Sequence, residues 1–234
     1  MENWFYNPNI QFHMWDSSHL LTIFIIVVLL ILIFTLRKRL TPFRRPIRLI
    51  IGVLLILSRL SLDLWYITTD QWTAQSSLPL ELCSIASLLA GIMLLTKSRF
   101  LFEVLYFIAI SGAVMAIVTP DLYFGFPQYR YIQFFFDHFL LILAPLLMIW
   151  LYHYQLTWRS VFKSLLFLNG LAAVVFIINQ LISANYMFLR EKPSGASLLD
   201  VLGPYPYYLL SLEFIALSLF SLLYLPVFNS GVKR

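Results

Sequence analysis

Long apolar stretches broken by short polar punctuation fill almost the whole chain. They run near 18–36, 47–68, 79–96, 100–118, 131–152, 159–183 and 205–226. Each approaches the ~20 residues that an α-helix needs to cross a bilayer core of ~30 Å. The pattern predicts an all-α, polytopic membrane protein: a seven-transmembrane-helix bundle forming one membrane domain over residues 1–234. The first stretch reads as a span and not as a leader, because basic residues follow it and no small-residue cleavage site appears. No internal repeat is visible, and an odd number of spans argues against simple inverted repeats of the transporter kind.

Charge then orients the bundle. Of 16 Lys and Arg, twelve fall on one side of the predicted spans: Arg37, Lys38, Arg39, Arg44, Arg45, Arg48, Lys97, Arg99, Arg159, Lys163, Lys233 and Arg234. Arg130, Arg190 and Lys192 fall on the other, and Arg59 lies within a span. By the positive-inside rule the rich side is cytoplasmic, which puts the N-terminus outside and the C-terminus inside a multi-pass protein of the cell membrane. This distribution follows topology, so the net charge of +5 predicts no nucleic-acid partner. The Arg37–Pro46 connection also has the chemistry to hold anionic headgroups. Trp4, Trp15, Trp65, Trp72, Tyr123, Tyr129, Tyr131, Tyr205, Tyr207 and Tyr208 sit at outer boundaries, as an aromatic belt does. A single cysteine excludes an intramolecular disulfide.

Depth singles out the candidate chemistry. At about 1.5 Å per residue, Cys83 lies ~6 Å below Pro79, His138 ~10 Å below Tyr131 and Glu213 ~12 Å into the seventh span. Asp63 and Arg59 lie ~7 and ~13 Å from the outer end of the second span. Asn179 and Gln180 close the sixth span on that side, and His19 opens the first. Charges in hydrocarbon are costly and face a bundle interior or a wet cavity, so a polar chamber is expected in the outer half. Asn169 is the exception, near the middle of span six.

Each residue has a plainer alternative. Arg59 and Asp63 are spaced for an intrahelical ion pair. Cys83, Ser87 and Gly91 form a small-residue stripe suited to helix packing. Glu213 has the charge to neutralise Arg59, Glu81 falls near the interface, and Asp137 has the reach to orient a neighbouring helix. Against these stands the position of Cys83 within a turn of a helix start, where free amides and the dipole favour a thiolate. With His138 at similar depth, a Cys–His pair is the minimal activated nucleophile for acyl transfer, and Asp137 or Glu213 is placed to orient the imidazole. No HExxH or CxxC signature predicts a metal, and no phosphate-cradling glycine loop predicts a nucleotide cofactor.

Leu78-Pro79-Leu80-Glu81-Leu82-Cys83-Ser84 and His138-Phe139-Leu140-Leu141-Ile142-Leu143-Ala144-Pro145, within this seven-span layout, resemble the YwaF-type family of bacterial membrane proteins, related to vertebrate transmembrane protein 164. The resemblance implies a cysteine-dependent acyltransferase that moves acyl chains between phospholipids and lysophospholipids, with its essential cysteine and histidine at Cys83 and His138. Glu81 departs from the histidine found there in many relatives. Three functions therefore enter the comparison with structure. The first is an acyltransferase or lipase with Cys83 and His138 as catalytic pair, supported by Arg59, Asp63, Glu81, Asp137, Asn179, Gln180 and Glu213. The second is a small-solute binding or transport protein using the same cavity. The third, a retinal-type receptor, fails because Tyr205–Pro226 contains no Lys for a Schiff base.

Overall fold

Asp16 opens the first helix by accepting the His19 backbone N–H at 2.8 Å, the bond that a short acidic side chain makes best at an N-cap. Helix α1 spans Ser17–Leu40 and α2 spans Arg44–Thr68, joined by a 3-10 turn at Thr41–Phe43 that carries a proline. They are followed by α3 (Leu82–Thr96), α4 (Arg99–Val118), α5 (Tyr129–Tyr152), α6 (Trp158–Ile182) and α7 (Tyr207–Gly231). Ser98 caps α4, and Thr157 with Ser160 forms a reciprocal capping box at α6. The computed structural model describes residues 5–192 and 198–231, with no strand among them; Trp4, Lys233 and Arg234 lie outside the described residues.

Helices α4 and α5 form the centre. α5 packs against α1, α2, α3 and α4, while α4 packs against α3, α5, α6 and α7. Most buried apolar side chains come from these two helices, including Phe102, Leu105, Phe107, Leu141, Leu147 and Met148. The outer helices instead present bare apolar side chains: Leu166 is 76% exposed, Leu181 79% and Phe214 73%. A soluble fold would not leave such a girdle in water, and helices that satisfy their own backbone are what a bilayer accepts. Five helical stretches are long and apolar enough to cross a membrane, the first of them, Ser17–Thr68, comprising both α1 and α2. The chain is thus a polytopic all-helical membrane protein.

The third stretch departs from expectation. Its helix begins at Leu82 and runs only 15 residues, ~22 Å, so it falls short of a full crossing. The residues before it turn back on themselves, and where that irregular backbone is buried other elements supply its partners. Ser77, 2% exposed, gives its carbonyl to Arg59 Nη2 at 2.8 Å. Tyr186 Oη accepts the Leu78 N–H at 2.8 Å and donates to the Ala74 carbonyl at 3.0 Å. Asn179 in turn fixes Tyr186, with its amide bonding both the Tyr186 carbonyl and N–H, at 2.9 and 3.0 Å. The expected aromatic belt is also thinner than its sequence: Trp65, Tyr131 and Tyr208 are buried within the protein, because their neighbours are the aromatic N-terminal segment and the outer loops.

The small-residue stripe of α3 does not face one partner. Residues four apart advance by ~40° around a helix, so the stripe winds. Gly91 meets the α2 backbone, where an added Cβ would come within 2.7 Å of Ile56 and 3.0 Å of the Gly52 carbonyl. Ser87 meets α5, and Cys83 meets α4. Gly52 and Gly91 thereby set how closely α2 and α3 approach. Gly91→Leu is expected to lose about 2 kcal/mol of stability through overpacking. Tyr186→Phe, which strips partners from the Leu78 N–H and the Ala74 carbonyl, is expected to lose about 2 kcal/mol. Both losses are read as lowered thermal midpoints in detergent beside a lipid-facing control, Leu181→Ala.

Candidate functional site

The polar residues of the aromatic end divide into two groups, one on each side of α3. On the α2 and α5 side, Arg59 is 5% exposed and forms an ion pair with Asp63 one turn on through Nη2, which also holds Ser77. Its Nε is buried with no partner among the described residues. The Asp137 carboxylate accepts from Ser87 Oγ at both oxygens, at 3.0 and 2.9 Å. Gln133 links the pair of helices, donating to Ser58 Oγ at 3.2 Å and accepting from Arg130 at 2.8 Å. The Ser61 and Tyr129 hydroxyls meet at 2.6 Å above them.

His138 sits on the turn of α5 next to Asp137, buried, with its ring 4.2 Å from that of Phe134. Its Nδ1 lies 2.7 Å from the Phe134 carbonyl. A carbonyl only accepts, so Nδ1 carries the proton and Nε2 holds a lone pair, with no hydrogen-bond partner among the described residues. That is the tautomer a general base requires. Neither Asp137 nor Glu213 orients the imidazole, contrary to the sequence expectation. Asp137 is turned ~100° away around the helix toward Ser87, and the backbone does the orienting.

On the α4 side of α3 lies a cavity of about 690 Å³, bounded by the start of α3, by α4, α6 and α7, and by the turn at Met187–Leu189. Along α7 it extends from Leu209 to Phe220, ~16 Å, from the aromatic end toward the middle of the bundle. The walls are largely apolar, from Ile108, Met115, Phe176 and Leu219, with four polar groups: Glu81, Ser111, Asn169 and Glu213. Asn169 donates to Glu213 at 3.0 Å, so Glu213 does not neutralise Arg59 as expected; the two lie on different faces of the bundle. Glu81 accepts the Met187 N–H at 3.0 Å and spends its carboxylate there.

Cys83 occupies the second position of α3, and its Sγ lies 3.7 Å from where a Cβ on Gly112 would stand. Gly112, Leu82 and Glu81 line the cavity but Cys83 does not, so the thiol lies behind that wall, against Gly112. The N-cap side chain of Glu81 makes no capping bond, which leaves the first-turn amides of α3 uncapped by any side chain. Cys83 and His138 make no hydrogen bond to each other among the described residues. The single expected chamber is therefore two groupings with Cys83 between them.

Asn179 is removed from the site, since it is wholly engaged with Tyr186, and Gln180 is exposed at the end of α6. His19 is structural: its Nδ1 accepts the Trp15 N–H at 3.1 Å and its Nε2 donates to the Ile117 carbonyl at 2.9 Å. Sequence reasoning missed Ser58, Ser77, Ser111, Gln133 and Tyr186. For Ser58 and Gln133 a signal was present, because each lies within one turn of an intramembrane charge already singled out.

No curated protein and no solved structure matches the chain. The TMEM164 family model, however, matches residues 14–224, from the N-cap region of α1 to the last turns of α7, and includes every side chain of both groupings. This polytopic membrane protein belongs to the TMEM164 family.

Proposed function

We propose that the chain is a membrane-embedded acyltransferase, or a lipase when water is the acceptor, acting on phospholipid acyl esters with Cys83 as nucleophile and His138 as base. The observation that carries this reading is an apolar cavity deep enough for a lipid tail, with a thiol directly behind its Gly112 wall beside an uncapped helix start. In the proposed reaction His138 Nε2 takes the Cys83 proton and the thiolate attacks the ester carbonyl. The oxyanion that forms lies near the first-turn amides of α3, donors already aligned by the helix. The tetrahedral intermediate collapses to a thioester, and the imidazolium returns its proton to the departing lysophospholipid alkoxide. A second lysophospholipid hydroxyl, or water, then loses its proton to His138 and attacks the thioester, releasing Cys83 as the thiol. The catalytic encounter needs Nε2 and Sγ brought together by substrate entry, since they are not bonded at rest.

The arrangement that goes with this reading is seven spans, counting the short α3, with the N-terminus outside, the C-terminus cytoplasmic and the protein in the cell membrane as a YwaF-type relative. A small-solute binding or transport protein is the second reading, favoured by Arg59, whose buried Nε is without a partner among the described residues.

Three measurements test these readings. Cys83→Ala and His138→Ala proteins that remain folded are each expected to lose about a thousandfold or more in acyl exchange between phospholipid and lysophospholipid. Wild type is expected to show an acyl mass adduct that the Cys83→Ala protein lacks. Near wild-type exchange in both variants, or a Cys83→Ser protein that still binds and moves a solute, sinks the enzyme reading. For topology, Thr41→Cys on a Cys83→Ser background is expected to resist an impermeant thiol reagent in intact cells and to react in inverted membranes. Labelling from outside reverses the orientation.

A further inference from the structure

At the basic end, three cations converge on one aromatic ring. Arg44, the first residue of α2, Arg48 one turn later and Lys97, which caps α3, place their charged groups 5.5, 5.8 and 5.8 Å from the centre of the Tyr152 ring, the last residue of α5. The ring is rigidly held: Tyr152 Oη donates to the Arg44 carbonyl at 3.0 Å and accepts from Arg48 Nε at 3.2 Å. Arg48 is 5% exposed and spends Nη1 on the Leu95 carbonyl at 3.1 Å. Arg44 and Lys97 are exposed, and their charged groups have no hydrogen bond or ion pair among the described residues.

The electrostatics of this end are one-sided. Glu103 is the one acidic side chain there among the described residues, and it is already taken by Lys163 at 2.5 Å, Arg99 at 3.5 Å and Ser160 at 3.2 Å. Like charges brought to one ring repel unless an anion is shared between them. The start of α2 lies at the same spot but adds few amides, since the Arg44 N–H is held by the Thr41 carbonyl and Pro46 has none. Guanidinium groups and an ammonium together are a donor set that phosphate oxygens take.

The geometry points to a phosphate-binding site at Arg44, Arg48, Lys97 and Tyr152, filled by the phosphodiester headgroup of an anionic phospholipid or by free phosphate. The site joins α2, α3 and α5 at one end of the bundle. The same three helices carry Arg59, Cys83 and His138 at the other end, so the bound anion clamps the helices that bear the proposed chemistry. The site does not depend on the acyl-transfer reading.

The test compares the thermal midpoint of the full-length protein in phosphatidylcholine discs, in discs that also contain phosphatidylglycerol, and in phosphatidylcholine discs with added inorganic phosphate. Wild type is expected to be stabilised by phosphatidylglycerol or by phosphate, and which of the two acts identifies the source. An Arg44→Gln/Lys97→Gln protein, altered at exposed positions, is expected to need roughly tenfold more anion for the same shift. A Lys38→Gln/Arg39→Gln protein, with the same loss of charge away from Tyr152, is expected to respond as wild type does. Equal weakening in both double variants, no weakening in the first, or no stabilisation of wild type by either anion overturns the site.

Discussion

The unwound segment ahead of α3 is what the rest of the aromatic end is built around. The backbone from residue 69 to 81 follows no regular ladder, so its buried groups take their partners from other elements. Arg59 supplies one to Ser77, the Tyr186 hydroxyl accepts from Leu78 and donates to Ala74, and Asn179 locks Tyr186 in place. The consequence is a helix whose first turn opens inside the bundle and not at its surface. A helix start is a cluster of free amides and a positive dipole end, and here it carries the only cysteine of the chain. A continuous span beginning at Pro79 would have placed those amides nearer the interface.

Two kinds of polar group follow from this arrangement. Those between α2, α3 and α5 are saturated or nearly so, with Asp137 held by Ser87 and Arg59 by Asp63 and Ser77. They act as internal struts, and they hold the turn of α5 that carries His138. Those around the α4, α6 and α7 cavity are fewer and set among apolar walls, as a site for a largely hydrophobic ligand requires. Cys83 belongs to α3 and touches Gly112 of α4, so it stands at the seam between strut and cavity. Glycine at 112 leaves room for the sulfur behind the wall, since an added Cβ would stand 3.7 Å from it.

The two ends of the bundle solve opposite problems. At the aromatic end the chain buries irregular backbone and must supply neutral and paired partners. At the basic end the helices terminate cleanly in left-handed caps at Lys97 and His153, and the surplus is of positive charge. Arg48 and Tyr152 tie α2, α3 and α5 together there, as Ser87, Asp137 and Gln133 do further up. Holding the same helices at two levels restricts their rotation, which matters if Cys83 and His138 must meet across them.

Hydropathy alone determined the helical, membrane-spanning class, because the length of an apolar run and the thickness of a bilayer are the same physical fact. It also located the intramembrane residues worth attention, since a charge in such a run is too costly to be incidental, and the Arg59–Asp63 pair followed from four-residue spacing. Depth, however, is one coordinate, and it says nothing of direction around a helix axis. That is why Glu213 and Arg59, at similar depth, seemed partners on paper but belong to different faces, and why Asp137 turned from His138 to Ser87. Only the tertiary packing decided where α3 begins, which carbonyl fixes the imidazole tautomer and which helices enclose the cavity. Those outcomes depend on contacts between residues up to 121 positions apart, as from Asn7 to Gln128, for which the local pattern carries no signal.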